Sequence, residues 1–471
     1  MKSKLLINGK WKDSGLSEEV HDKFSLEPFS EMCLASSEDV DEAISGAEVA
    51  YRKIQLSPYE RYEVLLKAAE IVKSRRTEFM ELMIRESGFT LLDCDNELNR
   101  TEQTLRICAE EAKRITGDIV PMDAAPGVKN RFGFTIRVPR GVVCAITPFN
   151  SPFNTVAHKI GPAIAAGNSV VLKPAGYTPL CAVKLCEVLL EAGLPPELIS
   201  LVHGPGSVVG RILLADKRVA FYTFTGSTNV GLEIQGAARL RGTSLELGSI
   251  ATTIICDDAD LDIAVSKTLN AAFRKAGQVC TSTQRILVDE RIQDVFVEKF
   301  LSKTRGLKFG NPKEPDTVVG PMISSFEKDR ASSWINEAVA QGAVVLAGGG
   351  CEANVLAPTV MTNVNASMRV VGEEVFAPVV SLIPYGELDS AFEVANSTPY
   401  GLSVGVFTKD LSRALHAAPN LQFGTIHINE PSSSRVDQMP FGGVKDSGYG
   451  HEGPYYAIRE MTEERLVTIS Y

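Results

Sequence analysis

The sequence predicts an α/β protein built on a doubly wound parallel sheet, and three observations carry that expectation. Between about 139 and 225, short apolar runs without alternation are separated by amphipathic stretches of helical length, the rhythm of strand–helix–strand crossovers. A second series of the same kind runs from about 251 to 429. At 471 residues the chain also exceeds what one hydrophobic core organises, so two or three domains are expected.

Composition narrows the rest. Hydrophobic residues make up 44% of the chain and charged residues 23%, an ordinary globular balance. The net charge of -10, with no basic run, argues against a nucleic-acid partner. Nine cysteines, odd in number and without a CxxC pair, offer neither a zinc site nor a disulfide framework; no metal is expected and a reducing compartment fits. No apolar run is long enough for a membrane helix, and the first ten residues hold a stub of three apolar side chains rather than a secretion signal. The cytoplasm is the expected location.

In chain order, residues 5–11 read as two short strands about an Asn8-Gly9 turn. Helical patterns are then expected up to about 116: one with a capping-box-like start at Ser37-Glu38-Asp39, one over 59–86 and one over 97–115. Residues 131–138 alternate like an exposed strand. Runs at 141–147, 169–173, 199–203 and 219–224 read as buried parallel strands, with crossover helices over 158–166, 180–192 and 208–215. The second series holds strands at 253–256, 285–288, 378–383, 403–407 and 425–428, and a helix over 261–276 ended by Gly277 in a left-handed conformation. A Gly- and Ser-rich loop at 431–453 precedes a last strand at 465–470, whose apolar edge a second subunit would cover.

Five patches carry candidate chemistry. Cys280 lies at a helix–strand junction, where a thiol is both held and reachable; most free cysteines are small buried hydrophobes, and its company decides between the two. Thr147-Pro148-Phe149-Asn150 follows a strand at the edge where such sheets bind ligands, and Asn150 is either a turn former or an amide aimed at an oxyanion. Lys173 closes the next strand, as a surface residue or as a ribose or phosphate contact. Gly226-Ser227-Thr228-Asn229-Val230-Gly231 leads into a helix whose N-terminus can receive a phosphate, although the pattern is not GxGxxG. Glu246, among apolar neighbours at a strand end, is a satisfied buried carboxylate or a general base.

Together these segments resemble the aldehyde dehydrogenase superfamily over nearly the whole chain. Pro148-Phe149-Asn150, Lys173-Pro174, residues 224–228, Glu246-Leu247-Gly248, Gly277-Gln278-Val279-Cys280, Glu374-Val375-Phe376 and residues 440–443 occur in the family's order. The resemblance implies an NAD(P)-binding domain from 1–119 and 141–248, a catalytic domain from 249–440, and a small β oligomerisation hairpin from 120–140 and 441–471, giving a homodimer or homotetramer. It implies that NAD or NADP lies along Thr147, Pro148, Phe149, Lys173, Ala175, Gly176, Gly226, Ser227, Gly231 and Leu247, with Glu374 on the nicotinamide ribose and Phe376 beside it. Cys280, activated by its site, attacks the aldehyde carbon, and the Asn150 amide and Cys280 backbone N–H hold the oxyanion. A hydride leaves for the nicotinamide, and Glu246 activates the water that hydrolyses the thioester.

Two finer expectations follow from the resemblance. Many NAD-preferring relatives carry a glutamate where Gly176 stands; its absence removes a repulsion against a 2′-phosphate, so NADP is open and NAD is not excluded. The presence of Glu246 favours release of a free acid over transfer to coenzyme A. Residues 433–448 and 452–463 resemble the branch acting on small anionic or hydroxylated aldehydes, among them sulfolactaldehyde, phosphonoaldehydes, lactaldehyde and glyceraldehyde 3-phosphate. That branch implies substrate contacts from Arg100, His158, Arg285 and Arg435, each otherwise a surface or salt-bridging residue. Succinate semialdehyde, or a broad range of aldehydes, is the alternative within the family. A cysteine esterase or thioesterase is the rival from another class, and it needs a histidine base, for which His158 is the nearest candidate. A non-catalytic binding protein would have no reason to keep Cys280, Glu246 and Asn150 together.

Overall fold

A computed structural model describes residues 2–471 as two large sheets, each flanked by helices, with smaller sheets at the margins. The larger has eight strands in the order Gly448–Tyr449, Gly242–Glu246, Val219–Thr225, Val142–Ile146, Ser169–Lys173, Ile199–Leu201, Leu5–Ile7, Lys10–Lys12. The five drawn from between Val142 and Glu246 run parallel. Val142 to Ala145 are at most 2% exposed, and burial on both faces is why these runs do not alternate. Successive strands are laid first on one side of Val142–Ile146 and then on the other. The loops leaving its carboxyl end therefore part in opposite directions and open a crevice beside Thr147 to Asn150.

The second sheet has seven strands, ordered Val344–Ala347, Thr359–Thr362, Val379–Tyr385, Arg285–Asp289, Thr252–Ile255, Ser403–Phe407, Thr425–Ile428, with only the first antiparallel to its neighbour. Residues 131–139 and 462–470 pair along their whole length, Arg131 opposite Ser470 and Pro139 opposite Thr462. This ribbon leaves Phe132, Ile136, Leu466 and Ile469 exposed. Among the described residues no helix is long and apolar enough to cross a membrane.

The turn at Asn8-Gly9 forms as expected, both residues having positive φ between antiparallel Leu5–Ile7 and Lys10–Lys12. Several boundaries shift. The capping box is made by Ser36 and Asp39, one residue earlier than the Ser37 start. The helix expected over 59–86 is two, Pro58–Ser74 and Arg76–Ser87, because Arg75 adopts a non-helical conformation between them. The next helix starts at Leu91 rather than 97, with Thr90 as its cap. Two strands, Ser17–His21 and Pro28–Cys33, occupy a region expected to be helical; they are short, carry charged residues and shift register between Val20 and His21, so no period marks them. The helix before Cys280 ends at Phe273, and its last expected turn is replaced by a sharp bend with functional weight.

Candidate active site

Beyond Phe273 the chain takes three consecutive left-handed residues, Lys275 (φ 52°), Ala276 (φ 53°) and Gly277 (φ 67°). Glycine is obligatory at the third, because a Cβ there would lie 2.1 Å from the carbonyl oxygen of Ala377. At the first two the conformation costs about 1–3 kcal/mol each, so something must hold them. The Lys275 ammonium does, reaching Glu97 Oε2 at 2.8 Å and the Asn150 carbonyl at 3.0 Å in a buried position. Glu97 also accepts from Ser151 Oγ and from the backbone N–H groups of Phe153 and Asn154, where the helix Asn154–Ala166 begins. One carboxylate thus ties the Cys280 loop to the Asn150 loop. Asn150 Nδ2 in turn donates to the Gln278 carbonyl at 2.8 Å, and Gln278 Oε1 accepts from Ile323 N at 2.9 Å. Neither Lys275 nor Glu97 carries a sequence signal; only the bend reveals them.

Cys280, partly exposed, stands at one end of a cavity of about 800 Å³. Of the residues expected along a dinucleotide, Thr147, Pro148, Phe149, Lys173, Ala175, Gly226, Ser227, Leu247, Glu374 and Phe376 line it. Two do not. Gly231 is buried with no face to the cavity; a Cβ there would lie 2.3 Å from Leu247 Cδ2, so this glycine lets its helix pack closely on the strand end. Gly176 borders an adjoining cavity of about 590 Å³ that shares Lys173 and Tyr177 with the first.

The lining suits a nucleotide. Lys173 is buried and burial lowers its pKa; among the described residues it touches only the Pro174 carbonyl, at 3.5 Å, and has no carboxylate partner. The Thr147 hydroxyl is buried without a partner. Ser227 does not cap the helix Thr228–Ala238 through its side chain, leaving first-turn N–H groups for an anion. Phe376 (φ 51°) stacks edge-on to Phe149, centroids 5.8 Å apart, and burial pushes Glu374 up to about 7. Glu374 Oε1 accepts from Ser249 N at 2.9 Å.

The expected activation of the thiol is not what this structure holds. Burial pushes Cys280 up to about 12; Arg435 pulls it back, while Glu246, Glu374 and Glu452 push further. These influences together favour the protonated thiol at rest. Glu246 is 2% exposed, neither of its carboxylate oxygens has a partner among the described residues, and burial followed by the charge of Glu452 raises its pKa well above the usual carboxylate range. It stands behind the cavity wall, beside Leu247 rather than among the lining residues.

The four arginine and histidine candidates separate. Arg100 is bidentate to Asp437, with Nη2 2.7 Å from Oδ1, and His158 Nε2 lies 2.9 Å from the same oxygen. Arg435 donates to Glu452 Oε2 at 2.9 Å, packs its guanidinium over Phe441 at 3.8 Å, and keeps a buried Nε without a partner. Arg285 is a correction: it is locked in the second sheet, donating to Thr252 Oγ1 and to the carbonyls of Val394 and Ala395, so it satisfies backbone instead of reaching a substrate. The sequence reasoning missed Arg274, six residues before Cys280. Among the described residues it pairs with no carboxylate and touches only the Ser433 carbonyl at 3.5 Å. Burial and then Arg100 lower its pKa, with Asp93, Cys280 and Glu97 also acting on it. A basic residue at the end of the helix leading to Cys280 was the available signal.

A reachable cysteine, a tethered amide and a nucleotide-shaped cavity on a doubly wound sheet together define a nicotinamide-dependent oxidoreductase that works through a covalent cysteine adduct. The chain belongs to the aldehyde dehydrogenase family, whose model matches residues 11–467, and is an NAD(P)-dependent oxidoreductase acting on aldehydes. It is 47% identical over 466 residues to a 3-sulfolactaldehyde dehydrogenase of Priestia aryabhattai, covering 99% of this chain and 98% of that one. Aldehyde dehydrogenase 21 from Physcomitrella patens, solved with the reaction product succinate, superposes with a TM-score of 0.97 at 35% identity, covering 100% of this chain and 98% of the other. The NADP-dependent glyceraldehyde-3-phosphate dehydrogenase from Bacillus halodurans C-125, solved with NADP, gives a TM-score of 0.97 at 34% identity, covering 100% and 99%.

Proposed function

We propose that this chain oxidises a short aldehyde carrying an anionic group, of the sulfolactaldehyde type, to the carboxylic acid through a thioester on Cys280. What supports the reading is a pair of guanidiniums, Arg274 and Arg435, whose charges act together with that of Cys280; among the described residues Arg274 has no carboxylate partner and Arg435 keeps a buried Nε unbonded. Guanidinium forks match the paired oxygens of a sulfonate, phosphonate or carboxylate. Arg100 and His158 act one step back, orienting Asp437 and through it the wall of the substrate side. The name of the Priestia relative supports a sulfonate, and the succinate in the moss structure supports a carboxylate as the second reading.

Once its thiol proton has passed to solvent at the partly exposed sulfur, Cys280 adds to the aldehyde carbon, and the alkoxide that forms is met by the Asn150 amide and the Cys280 N–H. Losing one such donor costs about 3–4 kcal/mol of barrier. A nicotinamide in this cavity would supply the hydride acceptor that oxidises the Cys280 adduct to a thioester. Cys280 then holds an acyl group, and Glu246, ionised for this step, takes a proton from water as the water oxygen bonds to the acyl carbon and the C–S bond breaks. Lys173, Glu374 and the N-terminus of the helix Thr228–Ala238 would hold the dinucleotide. The exposed apolar face of the ribbon 131–139/462–470 supports a homodimer or homotetramer, and nine free cysteines support a reducing, cytoplasmic setting. Short aldehydes ending in sulfonate, phosphonate, phosphate, carboxylate or hydroxyl groups, assayed with NAD and NADP, test the substrate; equal kcat/KM for the charged and uncharged ends would end the anionic reading.

A further inference from the structure

Gln284 follows Cys280 by four residues and opens the strand Arg285–Asp289 in the interior of the second sheet. Its backbone is bonded on both sides, its N–H to the Ala251 carbonyl at 3.0 Å and its carbonyl to Ser381 N at 2.9 Å. A carboxamide carries one acceptor oxygen and two donor hydrogens. Here they all go to one stretch of chain: Nε2 donates to the carbonyls of Val370 (3.1 Å) and Glu373 (2.7 Å), and Oε1 accepts from Val375 N at 3.0 Å. The short helix Arg369–Gly372 leaves its last carbonyls without partners further along the helix, and the amide meets one of them.

Glu374 therefore sits between two backbone groups, the Glu373 carbonyl and the Val375 N–H, that one buried side chain holds. The Val375 carbonyl is taken by Arg330 Nη2 at 2.6 Å. Phe376, next along, keeps its left-handed φ of 51°, a conformation that persists only where its surroundings fix it. The Glu374 carboxylate bonds Ser249 N, and the space that Ser249, Ser282, Gln284 and Phe376 enclose with it is about 10 Å³, room for one water at most. It has no room to swing away from the large cavity. Glu374 and Phe376 line that cavity, whereas Gln284, 6% exposed, does not.

We propose that Gln284 is the positioning residue that holds Glu374 at the nicotinamide end of the cavity, referring it to the same strand origin that carries Cys280. This rests on the reading of Glu374 as the contact to the nicotinamide ribose. One rigid point then fixes both the sulfur and the group that grips the cofactor, so their separation is set by the sheet rather than by two independent loops.

Gln284 also ties residues 370–375 to the sheet, and the test separates that plain structural role from positioning. Calorimetry on the full-length protein measures NAD, NADP, and the adenosine half alone as ADP and adenosine 2′,5′-bisphosphate. Gln284→Met keeps the length and removes all three side-chain hydrogen bonds; it is expected to weaken whichever of NAD and NADP the wild type binds by about tenfold. The two adenosine fragments are expected to bind within about twofold of wild type, and Cys280, followed on its peptide, to be alkylated by iodoacetamide at the wild-type rate. In a cycle with Glu374→Gln, the double variant is expected to bind within about twofold of Glu374→Gln alone, because one residue acts through the other. Equal losses for the whole cofactor and its adenosine half overturn the proposal, as do losses that multiply in the double variant. Wild-type affinity in Gln284→Met with a loss in Glu374→Gln overturns the positioning and leaves the ribose reading standing. Wild-type affinity in Glu374→Gln sinks the ribose reading, and the proposal with it. Should Gln284→Met not fold, Gln284→Glu, which keeps the acceptor for Val375 N, is held to the same pattern.

Discussion

Lys275→Met removes one ammonium from the point where the Cys280 loop, the Asn150 loop and the helix Leu91–Ala112 meet. Its partner Glu97 is 1% exposed and lies 2.8 Å from it. At an effective dielectric of about 20 the direct attraction at that separation is at most about 6 kcal/mol. Glu97 keeps three hydrogen-bond donors, from Ser151, Phe153 and Asn154, so the variant does not leave it bare. The expected loss is therefore about 3–4 kcal/mol, the range for breaking one side of a buried pair. Urea unfolding followed by tryptophan fluorescence reads it, alone and in a cycle with Glu97→Gln. The double variant is expected to be more stable than the sum of the singles implies, by about 2 kcal/mol or more, because removing both charges leaves none unpaired. The sign with pH follows as well. Burial raises the Glu97 pKa, but Lys275 and the donors more than offset it, so the folded value is depressed. That contribution is present above the unfolded value of about 4.3 and is lost as pH falls through the folded one. Since Lys275 also holds the Asn150 carbonyl, kcat is expected to fall with stability. Single-variant losses that add to within about 0.5 kcal/mol would refute the coupling.

Four further outcomes are expected. Cys280→Ala abolishes aldehyde oxidation while leaving cofactor binding by calorimetry intact, and any retained turnover removes the sulfur from the reaction. Because burial pushes the Cys280 thiol up to about 12, its alkylation by iodoacetamide in enzyme without ligand rises with pH up to 10 without levelling, where an unperturbed thiol levels off about one unit above its pKa of about 8.5; a plateau near pH 9 contradicts the neutral resting thiol. Arg274→Met raises KM for sulfonate- and carboxylate-bearing aldehydes by about 10- to 150-fold, the loss of charge-assisted hydrogen bonds worth about 1.5–3 kcal/mol, with little change for uncharged ones. Arg285→Met, by contrast, changes stability without charge selectivity, and the reverse pattern would reinstate Arg285 as a substrate contact.

Local chemistry in the sequence determined a good deal of this protein. The non-alternating Val142–Ile146 and Ser169–Lys173 could only be strands buried on both faces, and Asn8-Gly9 could only be a tight turn between two short ones. The order of the motifs around Asn150, Glu246 and Cys280 named the family, since those residue types in that succession serve one reaction. What the sequence could not state was which charges meet. Glu97, Asn150 and Lys275 are separated by 53 and 125 residues and converge within 3.0 Å; Lys159 and Glu452, 293 apart, do the same within 3.1 Å. Arg274 and Arg285 look alike as isolated basic residues, yet among the described residues Arg274 pairs with no carboxylate while the sheet turns Arg285 onto backbone carbonyls. Even the upward push on the Cys280 pKa was a tertiary decision, because the surroundings that bury most of the thiol and the charges of Arg435, Glu246, Glu374 and Glu452 come from distant parts of the chain. Backbone conformation is set by neighbours a few residues away, so it can be read along the chain; electrostatic partnership depends on distance in space, and only the packed fold assigns it.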